Sequence, residues 1–222
     1  VKKASMRAVL WDMDGTLVDT EPYWMRSEEE LVAEHGGAWT DEDATKLVGL
    51  GLDTSARILQ GAGVRMDEDA IINHLTDQVT YKLATEGVPF RPGARELLAD
   101  LKAAGIKTAL VTMSLRRMAA EVVSLIDFDA FDIILAGDDV TRPKPFPDPY
   151  LMACEALGVS PDECVALEDS PNGVASAVAA RIPTIGIPHI VPLDDTGVTE
   201  TRATLAGVTT ADLLAFHERH TS

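Results

Sequence analysis

Asp12 and Asp14 stand one residue apart at the end of the apolar run Ala8-Val9-Leu10-Trp11, in the string DMDGTLVD over residues 12–19. Alternate residues of an extended chain share a face, so the two carboxylates can converge on one point. Two anions so placed repel each other unless a cation lies between them. A hard, oxygen-liganded ion such as magnesium suits that position. A strand ending in a polar turn at Gly15-Thr16 explains the string equally well when it is taken alone. What the rest of the chain sets beside it decides.

The elements that must position these groups alternate from Pro92 onward. Helical patterns at 93–104, 115–125, 147–157, 171–181 and 210–219 are separated by short apolar runs at 106–111, 131–135, 164–167 and 183–187. Ser170 before Pro171 is a strong helix start, a cap followed by proline at the first helical position. Short buried strands between helices imply an α/β protein, a Rossmann-like parallel sheet covered on both faces. An edge strand is expected near Ala203–Ala206. Residues 20–88 break the alternation: Trp24, Leu31, Val32 and His35 share one helical face, and Ile71, Ile72, Leu75, Val79 and Leu83 another. Shorter helices are predicted at 41–48 and 53–60. The division that follows is a core of 1–20 and 89–222 carrying an all-helical cap at 21–88. Prolines at both joints, Pro22 and Pro89, suit semi-rigid hinges.

In an open parallel sheet, ligands bind outside the carboxyl ends of the strands. The residues at those ends are Asp12 and Asp14, then Thr112-Met113-Ser114, then Arg142-Pro143-Lys144-Pro145 beyond the third strand, then Glu168-Asp169-Ser170. Acidic groups, a hydroxyl and a lysine thus line one rim. Taken in order, residues 12–19, 112–114, 144–150 (KPFPDPY) and 168–173 (EDSPNG) resemble the four motifs of the haloacid dehalogenase superfamily, in its helical-cap phosphatase and phosphomutase branch. The resemblance spans essentially the whole chain, the last 30 residues being least diagnostic.

That resemblance, and the needs of phosphoryl transfer, imply roles. Asp12 is the nucleophile that forms an aspartyl-phosphate, and Asp14 the general acid/base. Magnesium is expected on Asp12, the backbone carbonyl of Asp14 and Asp169, with Glu168 acting through water. Thr112 donates to a phosphoryl oxygen and Lys144 offsets charge on Asp12 and the transferring group. Thr16 is expected to support the turn and orient Asp14. Ser114 reads as a helix cap, and Trp24, Trp39 and Met25 as packing within the cap. Glu21, the loop at Gly49, and Arg57 are the candidate substrate contacts on the cap. Dehalogenation is disfavoured, because Asp14 supplies the acid/base that a phosphoester needs.

The layout also resembles beta-phosphoglucomutase, but that enzyme's motif usually carries a His where Trp24 stands and an Arg where Leu52 stands. DTEPYW and VGLGL look more like sugar-phosphate and hexitol-phosphate phosphatases. The expectation is a magnesium-dependent phosphatase of a small phosphorylated sugar or polyol. A sugar phosphomutase and a non-catalytic phosphometabolite-binding module are the alternatives.

Bulk properties narrow the partners. The 222 residues hold 19 basic and 36 acidic side chains, a net charge of −17, which argues against nucleic acid. An anionic substrate then needs a local cation and a few well-placed basic groups. No run is apolar enough to span a membrane and no signal-peptide core is present. Cys154 and Cys164 match no zinc spacing and read as buried thiols of a reducing, cytoplasmic setting. The five histidines show no ligand spacing. A monomer is expected.

Overall fold

The computed structural model describes residues 5–221. Six strands, β1 (Ala8–Trp11), β2 (Lys107–Val111), β3 (Ile133–Leu135), β4 (Cys164–Glu168), β5 (Thr184–Gly186) and β6 (Glu200–Thr201), form one sheet in the order β3-β2-β1-β4-β5-β6. Every neighbouring pair is parallel. Parallel pairing needs crossovers, and a sheet buried on both sides needs continuously apolar strands. β1 meets that demand, with all four residues buried.

Val9 and Trp11 pack on one face of the sheet, while Ala8 and Leu10 pack on the other with Tyr150, Ala153 and Cys154. The covering helices are α5 (Ala94–Ala103), α6 (Arg116–Ser124), α7 (Asp148–Leu157), α8 (Pro171–Ala179) and α9 (Thr210–His220). The sixth strand lies at Glu200–Thr201 rather than at 203–206. It has two residues and no apolar run, so nothing in its pattern marks it.

Between β1 and α5 the chain inserts only helices: α1 (Glu21–Glu34), α2 (Asp41–Thr45), α3 (Leu52–Gly61) and α4 (Glu68–Glu86). Leu31, Val32, Leu59, Ile71, Leu75, Val79 and Leu83 form their shared interior. Both connections to the sheet run side by side. The Arg91 amide donates to the Leu17 carbonyl at 2.9 Å and the Asp19 amide to the Pro89 carbonyl at 2.7 Å. Among the described residues no helix is long and apolar enough to cross a membrane.

The chain leaves β1 for β2 and β3 on one side, then returns to place β4 on the other. That reversal makes the carboxyl end of β1 the crevice of the sheet. Register does the rest. Trp11 pairs with Leu110 and Leu167, so Asp12, Val111 and Glu168 come level.

Candidate active site

Asp12 follows β1 directly, its amide donating to the Leu167 carbonyl at 3.0 Å. Its carboxylate is held from two sides. Lys144 Nζ donates to Oδ1 at 2.8 Å and Thr16 Oγ1 to Oδ2 at 3.0 Å. Lys144 is itself fixed by three acceptors, adding Glu168 Oε1 at 2.6 Å and the Val111 carbonyl at 2.8 Å. Burial works against its charge, but the Asp12 and Glu168 carboxylates more than offset that and hold the ammonium protonated. Tyr150 donates to the same Glu168 oxygen at 2.5 Å.

Asp14 has a different set of partners. Thr20 and Trp24 donate to Oδ1, the indole at 3.1 Å, while Ser114 Oγ donates to Oδ2 at 2.7 Å and Thr112 Oγ1 at 3.5 Å. Burial raises its pKa above the ordinary aspartate range, and the nearby Asp12 adds to the rise. The hydrogen bonds from Thr20, Ser114 and Trp24 pull the other way without cancelling it. A carboxyl so poised is suited to carry a proton in one step and surrender it in the next.

Three carboxylates gather beside this pair. Asp12, Glu168 and Asp169 offer oxygens within 4.8 Å of one another, and all three residues are buried. Burial pushes Asp169 well above the usual range, with Asp12 and Glu168 adding repulsion. Glu168 rises through burial and the nearness of Asp12, against the pull of Lys144 and Tyr150. The donor set fits a hard divalent cation, since it is all oxygen and its accumulated negative charge is what such an ion answers. Two glycines make the crowding possible. Gly15 has φ +87°, and a Cβ there would lie 2.1 Å from Asp169 Oδ2. A Cβ on Gly173 would lie 1.9 Å from Glu168 Oε2.

The sheet rim makes one wall of a cleft of ≈ 930 Å³, open mouth included, whose other wall is the helical insert. Asp12, Asp14, Thr112, Lys144, Asp169, Glu21 and Gly49 all line it. Gly49 is tied to the sheet side, its carbonyl accepting from Asn172 Nδ2 at 2.9 Å.

Three expectations are corrected. Arg57 does not line the cleft: it is exposed and paired with Asp53 at 3.0 Å and Glu68 at 3.1 Å. Thr16 does not reach Asp14; its hydroxyl bonds Asp12 and, at 3.3 Å, Asp169. Ser114 is no cap, because α6 begins after Leu115 and the Ser114 hydroxyl belongs to Asp14. Trp24, read as packing, also lines the cleft and bonds Asp14. Thr20, Ser114 and Tyr150 are site residues that sequence reasoning misses. A hydroxyl or indole whose partner is fixed by tertiary contact leaves no local signal.

Comparison with known proteins places this geometry. The family model described as haloacid dehalogenase-like hydrolase matches residues 6–181. The chain is 33% identical to the phosphorylated carbohydrates phosphatase of Thermotoga maritima, over 83% of this chain and 86% of that protein. It is 32% identical to hexitol phosphatase B of Escherichia coli, over 82% of this chain and 83% of that protein. A mutant of CbbY from Rhodobacter sphaeroides, in complex with xylulose-(1,5)bisphosphate, superposes with a TM-score of 0.85 at 29% identity, covering 94% of this chain and 99% of that one. The chain therefore belongs to the haloacid dehalogenase-like hydrolases, in the branch of the sugar-phosphate phosphatases and beta-phosphoglucomutase-like proteins.

Proposed function

We propose that this protein, a phosphatase of the haloacid dehalogenase type, hydrolyses a small phosphorylated sugar or polyol through an aspartyl-phosphate on Asp12. The observation that carries the reading is the Asp12 carboxylate, clamped at 2.8 Å by a buried lysine and at 3.0 Å by Thr16 on the cleft wall. Held there, its oxygen attacks phosphorus as the ester oxygen departs. Asp14, protonated at that moment, gives its proton to the leaving alkoxide. The roles then reverse: Asp14 takes a proton from a water that attacks the aspartyl-phosphate, releasing inorganic phosphate and restoring Asp12.

The ammonium of Lys144 stays with Asp12 and offsets the charge that gathers on the transferring group. Asp12, Asp169 and the Asp14 backbone carbonyl would hold magnesium, with Glu168 behind them. When bound, the ion lets an anionic nucleophile and an anionic phosphate approach each other. Residues 21–88 act as a cap over the core of 1–20 and 89–222, excluding bulk water from the cleft. A cleft enclosed between the insert and the sheet rim suits a metabolite rather than a macromolecule.

Hydrolysis is favoured over a mutase by the neutral Trp24 and Leu52 in the cleft wall. The test is inorganic phosphate released from a panel of phosphorylated metabolites with magnesium. Release that disappears in Asp12→Asn supports the reading. Isomer formation without net phosphate release would replace it with the mutase.

A further inference from the structure

Two arginines open α6, at the end of a helix where the backbone dipole favours anions, and the first turn holds no acid. Arg116 is answered within the core by Asp139. Arg117 reaches out of the core instead. Its guanidinium pairs with Asp77 and donates to the Asn73 side-chain oxygen at 3.0 Å and the Asn73 carbonyl at 3.2 Å, both residues lying on α4 of the cap. One core side chain thus grips one turn of a cap helix. On the β4 side of the cleft, Asn172 holds the Gly49 carbonyl at 2.9 Å. Arg117 and Asp77 are both exposed, so their pairing adds little to folding. Made between two bodies that separate when the cap opens, it weighs on whether the cap is seated.

Polar bonds and shared packing tie α4 to α1. Lys82 donates to Ser27 at 3.2 Å and to Glu30 at 3.0 Å, and Arg26 pairs with Glu86 at 2.7 Å. The Tyr23 hydroxyl donates to the Gly87 carbonyl, just past α4, at 2.9 Å. Leu31, Ile71, Leu75 and Val79 fill the space between the two helices. Trp24 stands on the same stretch of α1, its indole N–H on Asp14 at 3.1 Å. We propose that Arg117 is a positioning residue for the reaction: by gripping α4 it seats the cap, and through α1 it keeps Trp24 on Asp14. Arg117 itself touches no reacting group. Its effect on turnover rests on the hydrolysis argued above, whereas its effect on the cap rests on the geometry alone.

The test is charge reversal in the full chain. Arg117→Glu sets a like charge against Asp77 but puts an anion at the start of α6, where it is favoured, so the melting temperature is not expected to fall. Seating is read without turnover from acrylamide quenching of tryptophan fluorescence. Trp24 is buried and lines the cleft, so an unseated cap exposes it. Arg117→Glu is expected to raise the quenching constant by roughly half or more, and adding Asp77→Arg to reverse the rise. With magnesium and p-nitrophenyl phosphate, kcat is expected to fall about two- to fivefold, the weight of an exposed ion pair. In a Trp24→Phe background the same change is expected to cost less than about 1.5-fold, because the effect travels through that indole. Quenching equal to the parent's, a rise that Asp77→Arg leaves in place, or the same loss of kcat with and without Trp24 overturns the proposal. No phosphate from the aryl ester in the parent, beside a quenching change that Asp77→Arg reverses, would sink the hydrolysis and leave the seating of the cap standing.

Discussion

Glu28→Gln is expected to stabilise the protein at alkaline pH and to leave it nearly unchanged near pH 4.5. Burial pushes the Glu28 carboxyl from an ordinary 4.5 up to about 8, against a smaller opposing pull from Trp39. Between those values the unfolded chain has released this proton and the folded one has kept it. Stability therefore falls as pH rises from about 4.5 to about 8 and is flat on either side. Each tenfold change in proton affinity is worth about 1.4 kcal/mol, so the full loss is of order 5 kcal/mol above pH 8. Water entering the cleft softens that figure, and about 2–5 kcal/mol is the range to look for. Glutamine keeps the shape and has nothing to titrate. Urea denaturation of parent and variant at pH 5, 7 and 9 gives the difference directly, the other acids cancelling between them. The expected gap opens with pH and favours the variant by roughly 5–15 °C in melting temperature at pH 9. Parallel stability profiles, or a variant weaker at pH 9 than at pH 5, would refute the reasoning.

Four further outcomes follow from the site. Lys144→Met leaves Asp12 and Glu168 facing each other in a buried setting; a loss of about 3–5 kcal/mol by denaturant melt is expected. Turnover of that variant should fall on the order of 10²–10³-fold in a phosphate-release assay. Trp24→Phe removes a bond that draws the Asp14 pKa down, so the pH–rate profile should move to higher pH, read from kcat/KM across pH 5–9. Magnesium at 100 times its dissociation constant should stabilise the protein by about 2.7 kcal/mol in thermal melts, a gain that Asp169→Asn removes along with activity. Gly15→Ala forces a side chain into positive φ and against Asp169, costing about 1–3 kcal/mol of strain and, by the same melts, the magnesium-dependent gain.

The sheet and its rim were legible because their signals are local. Buried parallel strands are short apolar runs, and a residue at a strand's carboxyl end is named by position alone. Register then brings Asp12 level with Glu168 across about 150 positions of chain. What was not legible has the opposite character. Ser114 before a helical run reads as a cap, but the helix starts one residue later and the hydroxyl's partner is a hundred positions away. Trp24 at helical spacing reads as packing, and only the fold turns its indole N–H onto Asp14. Arg57 carried a warning that could have been used: Asp53 stands four residues before it, the spacing of an ion pair on a helix surface. The two-residue edge strand Glu200–Thr201 has no pattern to detect.

The places where local rules fail also share a location. Thr20 heads α1 but makes no capping bond, because its hydroxyl is spent on Asp14. Ser114 gives up a cap for the same carboxylate. Glu28 sits buried in a helix face that packing alone would fill with an apolar side chain. Gly15 turns the chain at positive φ and leaves no room for a Cβ beside Asp169. Each departure costs stability where it stands, and Asp14, Glu28 and Asp169 all line the one cleft. A chain selected for folding alone would have no reason to concentrate these losses there, so their convergence is an argument for chemistry at this cleft independent of any likeness to other proteins.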